Sequence, residues 1–188
     1  MHPAALAADA AELALGAAKA GEGKAFALLV QPHLAQAFRL AARKAGNRAV
    51  AEEAVQEALL IVLRELHRCQ DASGVRALLF GAVLRTSHTL RRSEWRRATR
   101  EERAEPPVPT AEPEAELANR ELALRLQAAL DRLPERRRDA VLLRLDAGLT
   151  AAEMALALDT TEQAARQLVY EGTKALRAFL AEEEGPHA

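Results

Sequence analysis

At 188 residues the chain holds one ordinary domain or two small ones, and abundant Ala, Leu, Arg and Glu with only nine glycines point to an almost wholly helical protein. Strand-like runs of Val, Ile and Thr are missing, which excludes a sheet-based fold. The net charge of −1 hides an uneven spread of 26 basic and 27 acidic residues, so local patches decide what the chain can bind. Cys69 is the single cysteine, which excludes an intrachain disulfide and fits a cytoplasmic location.

Residues 1–23 form an N-terminal extension. Its Ala/Leu-rich stretch from Pro3 to Ala20 is interrupted by Asp9 and Glu12 and follows no basic cluster, so neither a signal peptide nor membrane insertion is expected. Either a short helix or a tail fits it. Gly21-Glu-Gly23-Lys24 is not a phosphate loop: Ala18 stands where the first glycine would be, and Ala25 replaces the magnesium-holding Ser or Thr.

Residues 24–103 read as the first helical domain. Phe26, Leu29, Val30, His33, Leu34 and Phe38 trace one helix face, and Gly46-Asn47 marks a turn. The next helix would bury Val55, Leu59, Val62, Leu63 and Leu66, leaving Glu52, Glu53, Gln56, Glu57 and Arg64 outside. That acidic surface is either solubilising charge or a docking face for a basic partner. His67 and Cys69 lack the further ligands a metal site needs. After a turn at Asp71 to Gly74, Val75, Leu78, Leu79, Ala82 and Val83 are core candidates. The same segment ends with Arg91, Arg92, Arg96, Arg97 and Arg100 around Trp95. Five arginines in ten residues exceed what helix capping needs, and an aromatic among them suits phosphate contact with base stacking.

Residues 104–116 carry four prolines and four glutamates with no basic residue, the composition of an extended acidic linker. Beyond it, residues 117–184 read as a helix-turn-helix domain. Thr150-Ala-Ala-Glu153 and Thr160-Thr-Glu-Gln163 are two capping boxes. They predict a short helix from Ala151 to about Leu158 and a longer one from Glu162 to about Leu180. In the second, Ala165, Leu168, Val169, Gly172, Leu176 and Phe179 would face the core. Gln163, Arg166, Gln167, Tyr170 and Lys174 would share the opposite face, as in a helix that enters the major groove. The fold class expected is all-α, in two small domains. No nucleophile, base and orienter set is visible, so catalytic residues, cofactors and metals are not expected, and neither is an enzyme.

Leu130 to Leu158, LDRLPERRRDAVLLRLDAGLTAAEMALAL, and Ala51-Glu-Glu-Ala-Val-Gln-Glu57 together resemble the extracytoplasmic-function sigma factors of bacterial RNA polymerase. The resemblance runs from about Phe26 to Leu180. It implies a first domain that grips core polymerase through Glu52, Glu53, Gln56 and Glu57. It implies a promoter-opening segment from Leu78 to Arg97, which brings Arg85 into the DNA-facing set with Arg91, Arg92, Trp95, Arg96 and Arg97. In the second domain it implies promoter contact through Arg136, Arg137, Gln163, Arg166, Gln167, Tyr170 and Lys174. Core polymerase and promoter DNA are then the partners, with an anti-sigma factor as a further candidate. The chain departs from the family at Leu78, where tryptophan is usual, at Glu171, which would repel phosphate if it faced DNA, and at Val50, which replaces the usual capping aspartate. Two other roles stay open: an adaptor that binds polymerase or a regulatory partner without starting transcription, and a stand-alone helix-turn-helix regulator.

Overall fold

The computed structural model describes the backbone of residues 3–100 and 114–183, and the side chains there other than 3–8, 94, 95, 97–100, 114–120 and 183. Among the described residues the secondary structure is eight α-helices with no strand, plus one 3-10 turn at Leu66–Arg68. The all-α expectation holds.

Helices α1 (Pro3–Lys19), α2 (Gly23–Ala45), α3 (Arg48–Glu65) and α4 (Ala72–Arg100) make the first bundle. The N-terminal extension is therefore a helix with a defined place. Leu15 and Ala18 of α1 are buried against α2, and Glu12 Oε1 accepts from the Ala72 N–H at 2.8 Å, capping the start of α4. Lys19 Nζ donates to the Cys69 carbonyl at 2.6 Å, so α1 also pins the turn that leads into α4. Cys69 itself is buried, which pushes its thiol pKa up and leaves it unreactive.

The turn between α2 and α3 follows from its two residues. Gly46 takes the left-handed conformation at φ 73° and closes α2 with a bond from its N–H to the Ala42 carbonyl. Asn47 Oδ1 then accepts from the Ala49 N–H at 2.8 Å and caps α3. The missing cap expected at Val50 is thus a misreading: Val50 is a buried residue of the first turn, and the cap lies three positions earlier.

The core of α3 also differs from expectation. Val62 and Leu66 are buried, but Leu63 is 51% exposed, and Ala51, Ala54 and Ala58 are as fully buried as Val62. Helix α3 packs on α2 and α4 at once, and small side chains on the inner face permit that close approach. In α4, Val75, Leu79, Ala82 and Val83 are buried as expected, joined by Phe80 and Ser87. The Thr86 hydroxyl, also buried, donates to the Ala54 carbonyl of α3 at 2.9 Å.

The second bundle comprises α5 (Glu114–Asp131), α6 (Glu135–Leu145), α7 (Ala151–Ala157) and α8 (Glu162–Glu183). Most of the expected linker lies outside the described residues, but Glu114 to Glu116, counted in it, already belong to α5. The Thr150 capping box is formed: Thr150 Oγ1 accepts from the Glu153 N–H at 3.2 Å, and Glu153 Oε2 accepts from the Thr150 N–H at 2.7 Å. The second box does not form; a simple cap one residue later takes its place. Thr161, not Thr160, accepts from the Ala164 N–H at 3.2 Å. The turn needs this register because Asp159 sits in the left-handed region at φ 49°, which a short polar side chain tolerates. Helices α6 and α8 cross at Gly172, where an added Cβ would stand 2.6 Å from Val141 Cγ2.

Candidate nucleic-acid interface

Three surfaces carry the residues singled out from the sequence. On α3, Glu52, Glu53, Gln56 and Glu57 are all exposed, and Glu52 pairs with Arg48 at 3.0 Å. The helical repeat continues this surface through Leu60 and Leu63, which are 53% and 51% exposed. Two leucines beside a row of carboxylates make a surface suited to a partner with both basic and apolar groups. Sequence reading missed Leu60 and placed Leu63 inside, because a leucine on a bundled helix is ordinarily counted as core.

On α8, Gln163, Arg166, Gln167, Tyr170 and Lys174 are exposed on one face, as the spacing predicts. With α6 and α7, Arg166, Tyr170 and Lys174 border a groove of about 770 Å³ whose walls include Met154, Val169, Arg144 and Arg177. Arg177 follows Lys174 by three and Tyr170 by seven residues, so helical periodicity alone could have added it to the face. Arg144 is held by a bond from Nη1 to the Leu149 carbonyl at 3.0 Å. The cations here are partly engaged within the helix. Arg166 pairs with Glu162 at 2.6 Å, while Glu171 accepts from the Gln167 amide at 2.7 Å and pairs with Arg137 at 2.6 Å. The Gln167 amide and the Arg137 guanidinium hold the Glu171 carboxyl below the usual range. Glu171 therefore sits among polar and cationic groups that partly offset its charge.

Arg136 and Arg137 do not join one surface. Arg137 points to α8 through Glu171, whereas Arg136 is exposed on the other side, with Nη2 donating to the Leu158 carbonyl at 3.3 Å. Arg136 borders a small groove of about 230 Å³ between α4 and the second bundle.

On α4, Arg85, Arg91, Arg92 and Arg96 are exposed, and the side chains of Trp95 and Arg97 lie outside the described residues. The Arg96 Nε donates to the Arg92 carbonyl at 3.2 Å. Arg91 and Arg92 border a groove of about 320 Å³ that also includes Lys44, His88, Glu135 and Arg138. Three of the six side chains come from the end of α4, one from the end of α2 and two from α6. The α4 surface thus faces the second bundle.

Two helical bundles, the second a helix-turn-helix and each with a surface of arginines, define the architecture of a nucleic-acid-binding regulator. The sigma-70 region 2 family matches residues 29–97, and the sigma-70 region 4 family matches residues 123–176. The chain belongs to the sigma-70 family, in its extracytoplasmic-function group. It is 30% identical over 159 residues to the ECF RNA polymerase sigma factor SigE of Mycolicibacterium smegmatis, across 81% of this chain. It spans 60% of that protein's length. The solved structure of CnrH in complex with the cytosolic domain of CnrY shares the fold with a TM-score of 0.70 at 22% identity, over 93% of this chain and 99% of that one.

Proposed function

We propose that the chain is an RNA polymerase sigma factor that docks on core polymerase through α3 and reads promoter DNA with α4 and α8. The observation that carries this reading is the presence of regions 2 and 4, in that order, in one chain. The bundle of α1 to α4 and the bundle of α5 to α8 are its two working units, with the acidic linker between them as the tether. Two weak DNA contacts on one tether suffice, because binding of the first raises the effective concentration of the second. Polymerase supplies the chemistry, so the chain acts by recognition and not as an enzyme, and this role places it in the cytoplasm. Glu52, Glu53, Gln56 and Glu57 serve the polymerase contact, and Leu60 and Leu63 belong with them. An anti-sigma partner would have the same exposed surfaces to cover.

The adaptor reading draws support from α8, where Arg166, Arg137 and Gln167 are already bonded to Glu162 and Glu171. In vitro transcription with purified core polymerase on fragments of the host genome separates the two, read by sequencing RNA 5′ ends. Specific starts that share an upstream motif are expected. Core binding without any specific start would replace the proposal with the adaptor, and absence of core binding would leave a helix-turn-helix regulator.

A further inference from the structure

The groove of about 320 Å³ at the end of α2 is lined by Lys44, His88, Arg91, Arg92 and Arg138 against a single carboxylate, Glu135. Part of this charge is answered within the protein. Lys44 pairs with Glu135 at 3.2 Å and with Asp139, Arg138 pairs with Asp131 at 2.6 Å, and Arg91 lies 3.7 Å from the same Asp131. His88 Nε2 stands 3.2 Å from Glu135. The cations Lys44, Arg91, Arg92 and Arg138 still outnumber the carboxylates Glu135, Asp131 and Asp139, so the groove stays positive without counting His88.

Three donors around it lack an acceptor. Arg92 is exposed, and its guanidinium makes no ion pair among the described residues. Arg138 is held by Asp131, yet its Nε is buried with no hydrogen-bond partner, a costly state for a charged donor. The third is the start of α6. Its N-cap is Pro134, which offers no side-chain acceptor, so the first N–H groups of the helix go without the usual cap. A helix end of this kind favours an anion, and Glu135 and Arg138, both of its first turn, border the groove. Glu135 is the one negative charge there, and its half-exposed side chain is free to turn out to solvent.

We propose that this groove is a binding site for a compact polyanion, a di- or triphosphate group, held by Arg91, Arg92 and Arg138 at the start of α6 with the Lys44 ammonium below them. Guanidinium forks match the paired oxygens of phosphate. Three of them from two helices call for an anion with more than one charged centre, which a lone carboxylate or sulfate does not supply. The recognising chemistry is the same whether the group is inorganic or the tail of a nucleotide. Arg91 and Arg92 also belong to the proposed DNA-facing set, so a bound polyanion withdraws both from DNA. That consequence rests on the DNA-binding reading of α4, whereas occupancy of the groove does not.

The experiment is calorimetric titration of the full chain with sodium tripolyphosphate at ~0.15 M salt, where distant exposed charges are screened. Amide NMR signals locate the bound anion. One saturable site is expected, with shifts concentrated at residues 88–92 and 135–138. Arg92→Gln should weaken binding about tenfold, the loss of one charge-assisted hydrogen bond. Glu135→Gln keeps the side-chain shape and should tighten it about fivefold by removing the one lining carboxylate. Arg48→Gln, the same change in net charge on an exposed residue of α3, should leave affinity within about twofold. Pyrophosphate and ADP, titrated in turn, distinguish the sources: equal affinities support an inorganic ligand, and tighter ADP supports a nucleotide. Absence of a saturable site, equal losses in Arg92→Gln and Arg48→Gln, or weaker binding in Glu135→Gln overturns the proposal. Duplex DNA that shifts these same signals where millimolar tripolyphosphate shifts none assigns the groove to nucleic acid and overturns it too. Failure of the sigma reading is distinguishable, since it appears as absent promoter-directed transcription while the titrations contain neither DNA nor polymerase.

Discussion

The two arginine-bearing surfaces contain the same kinds of groups in opposite settings. On α8 the pairs are local and wet: Arg166 with Glu162 lies one helical turn apart on an exposed face. Where α2 and α4 meet the second bundle, the pairs of Lys44 and Arg76 join residues 77 to 95 positions apart and are part-buried, with Lys44 nearly sealed between Glu135 and Asp139. Exposed pairs of the first kind contribute little, whereas removing one partner of the second kind strands a charge away from water. The difference separates an open α8 face from a buried charged seam in which Lys44 and Arg76 hold the two bundles together, with Arg85, Arg92 and Arg96 of α4 exposed beside it.

The contrast is broken most severely at Lys44. Burial pushes the Asp139 carboxyl up, and the Lys44 ammonium is the main group that opposes this, with a smaller contribution from Arg138. Lys44→Ala should therefore destabilise the chain toward the lower end of ~3–5 kcal/mol, because Asp139 can relieve the loss by taking up a proton. Urea unfolding at neutral pH followed by circular dichroism measures it, and a loss under 1 kcal/mol, the size ordinary for surface pairs, would put Lys44 in the same class as Arg166.

Glu153 gives the next effect and a sign that can be worked out. Burial opposes its ionisation, but the Thr150 N–H, Arg76 and the Thr150 hydroxyl together outweigh it and hold the carboxyl below its ordinary value of 4.5. A depressed carboxyl stabilises above its unfolded pKa and loses that contribution as pH falls through the folded one. Glu153→Gln keeps the shape and a capping amide but no charge. It should cost about 1.5–3 kcal/mol at pH 7, the range for hydrogen bonds to charged groups. The gap to wild type should close as the pH is lowered below the ordinary Glu range. A gap independent of pH between 7 and 3 would mean that Arg76 gains nothing from the carboxylate.

Much of each bundle was legible one helix at a time. The Thr150 box, the α8 stripe and the α4 core follow from periodicity and capping, which are local rules. Alanines defeated the reading of α3, because a residue with almost no side chain shows its importance only when a second helix is known to lie against it. The shift from Thr160 to Thr161 turned on Asp159 entering the left-handed region, which Asp permits but does not announce. The ion pairs between the bundles were not legible at all: their cations and carboxylates are ordinary surface residues until the fold brings segments far apart in sequence together. The α8 face and the arginines at the end of α4 followed from spacing and composition, whereas Arg85, Arg136, Arg137 and polymerase as the partner of the α3 surface came only with the family resemblance, since nothing in an exposed glutamate states its partner.

A smaller effect tests the start of α8. Thr161→Ala should lower stability by about 1 kcal/mol, the ordinary value of an N-cap, while Thr160→Ala should be close to neutral because its hydroxyl makes no cap. The reverse ranking in thermal unfolding would restore the register expected from sequence. Because α8 begins at this point, the Thr161 variant also loosens the open surface without touching a group on it.

The smallest change in stability, and the clearest on binding, is expected at Glu171. Its partners Gln167 and Arg137 are exposed or half-exposed, so Glu171→Gln should alter stability by no more than about 0.5 kcal/mol. Yet it removes the one carboxylate that sits beside Gln167 on the face proposed to meet phosphate. For unit charges about 7 Å apart in water the repulsion removed is ~0.6 kcal/mol, about threefold in affinity. The gain should be measurable by anisotropy at low salt and shrink as salt rises, since the Debye length is about 10 Å at 0.1 M. A substitution at Glu53, on the α3 surface, changes the net charge equally but should give none of this gain at short range. Equal effects at the two sites would mean that overall charge, and not the α8 face, governs the contact.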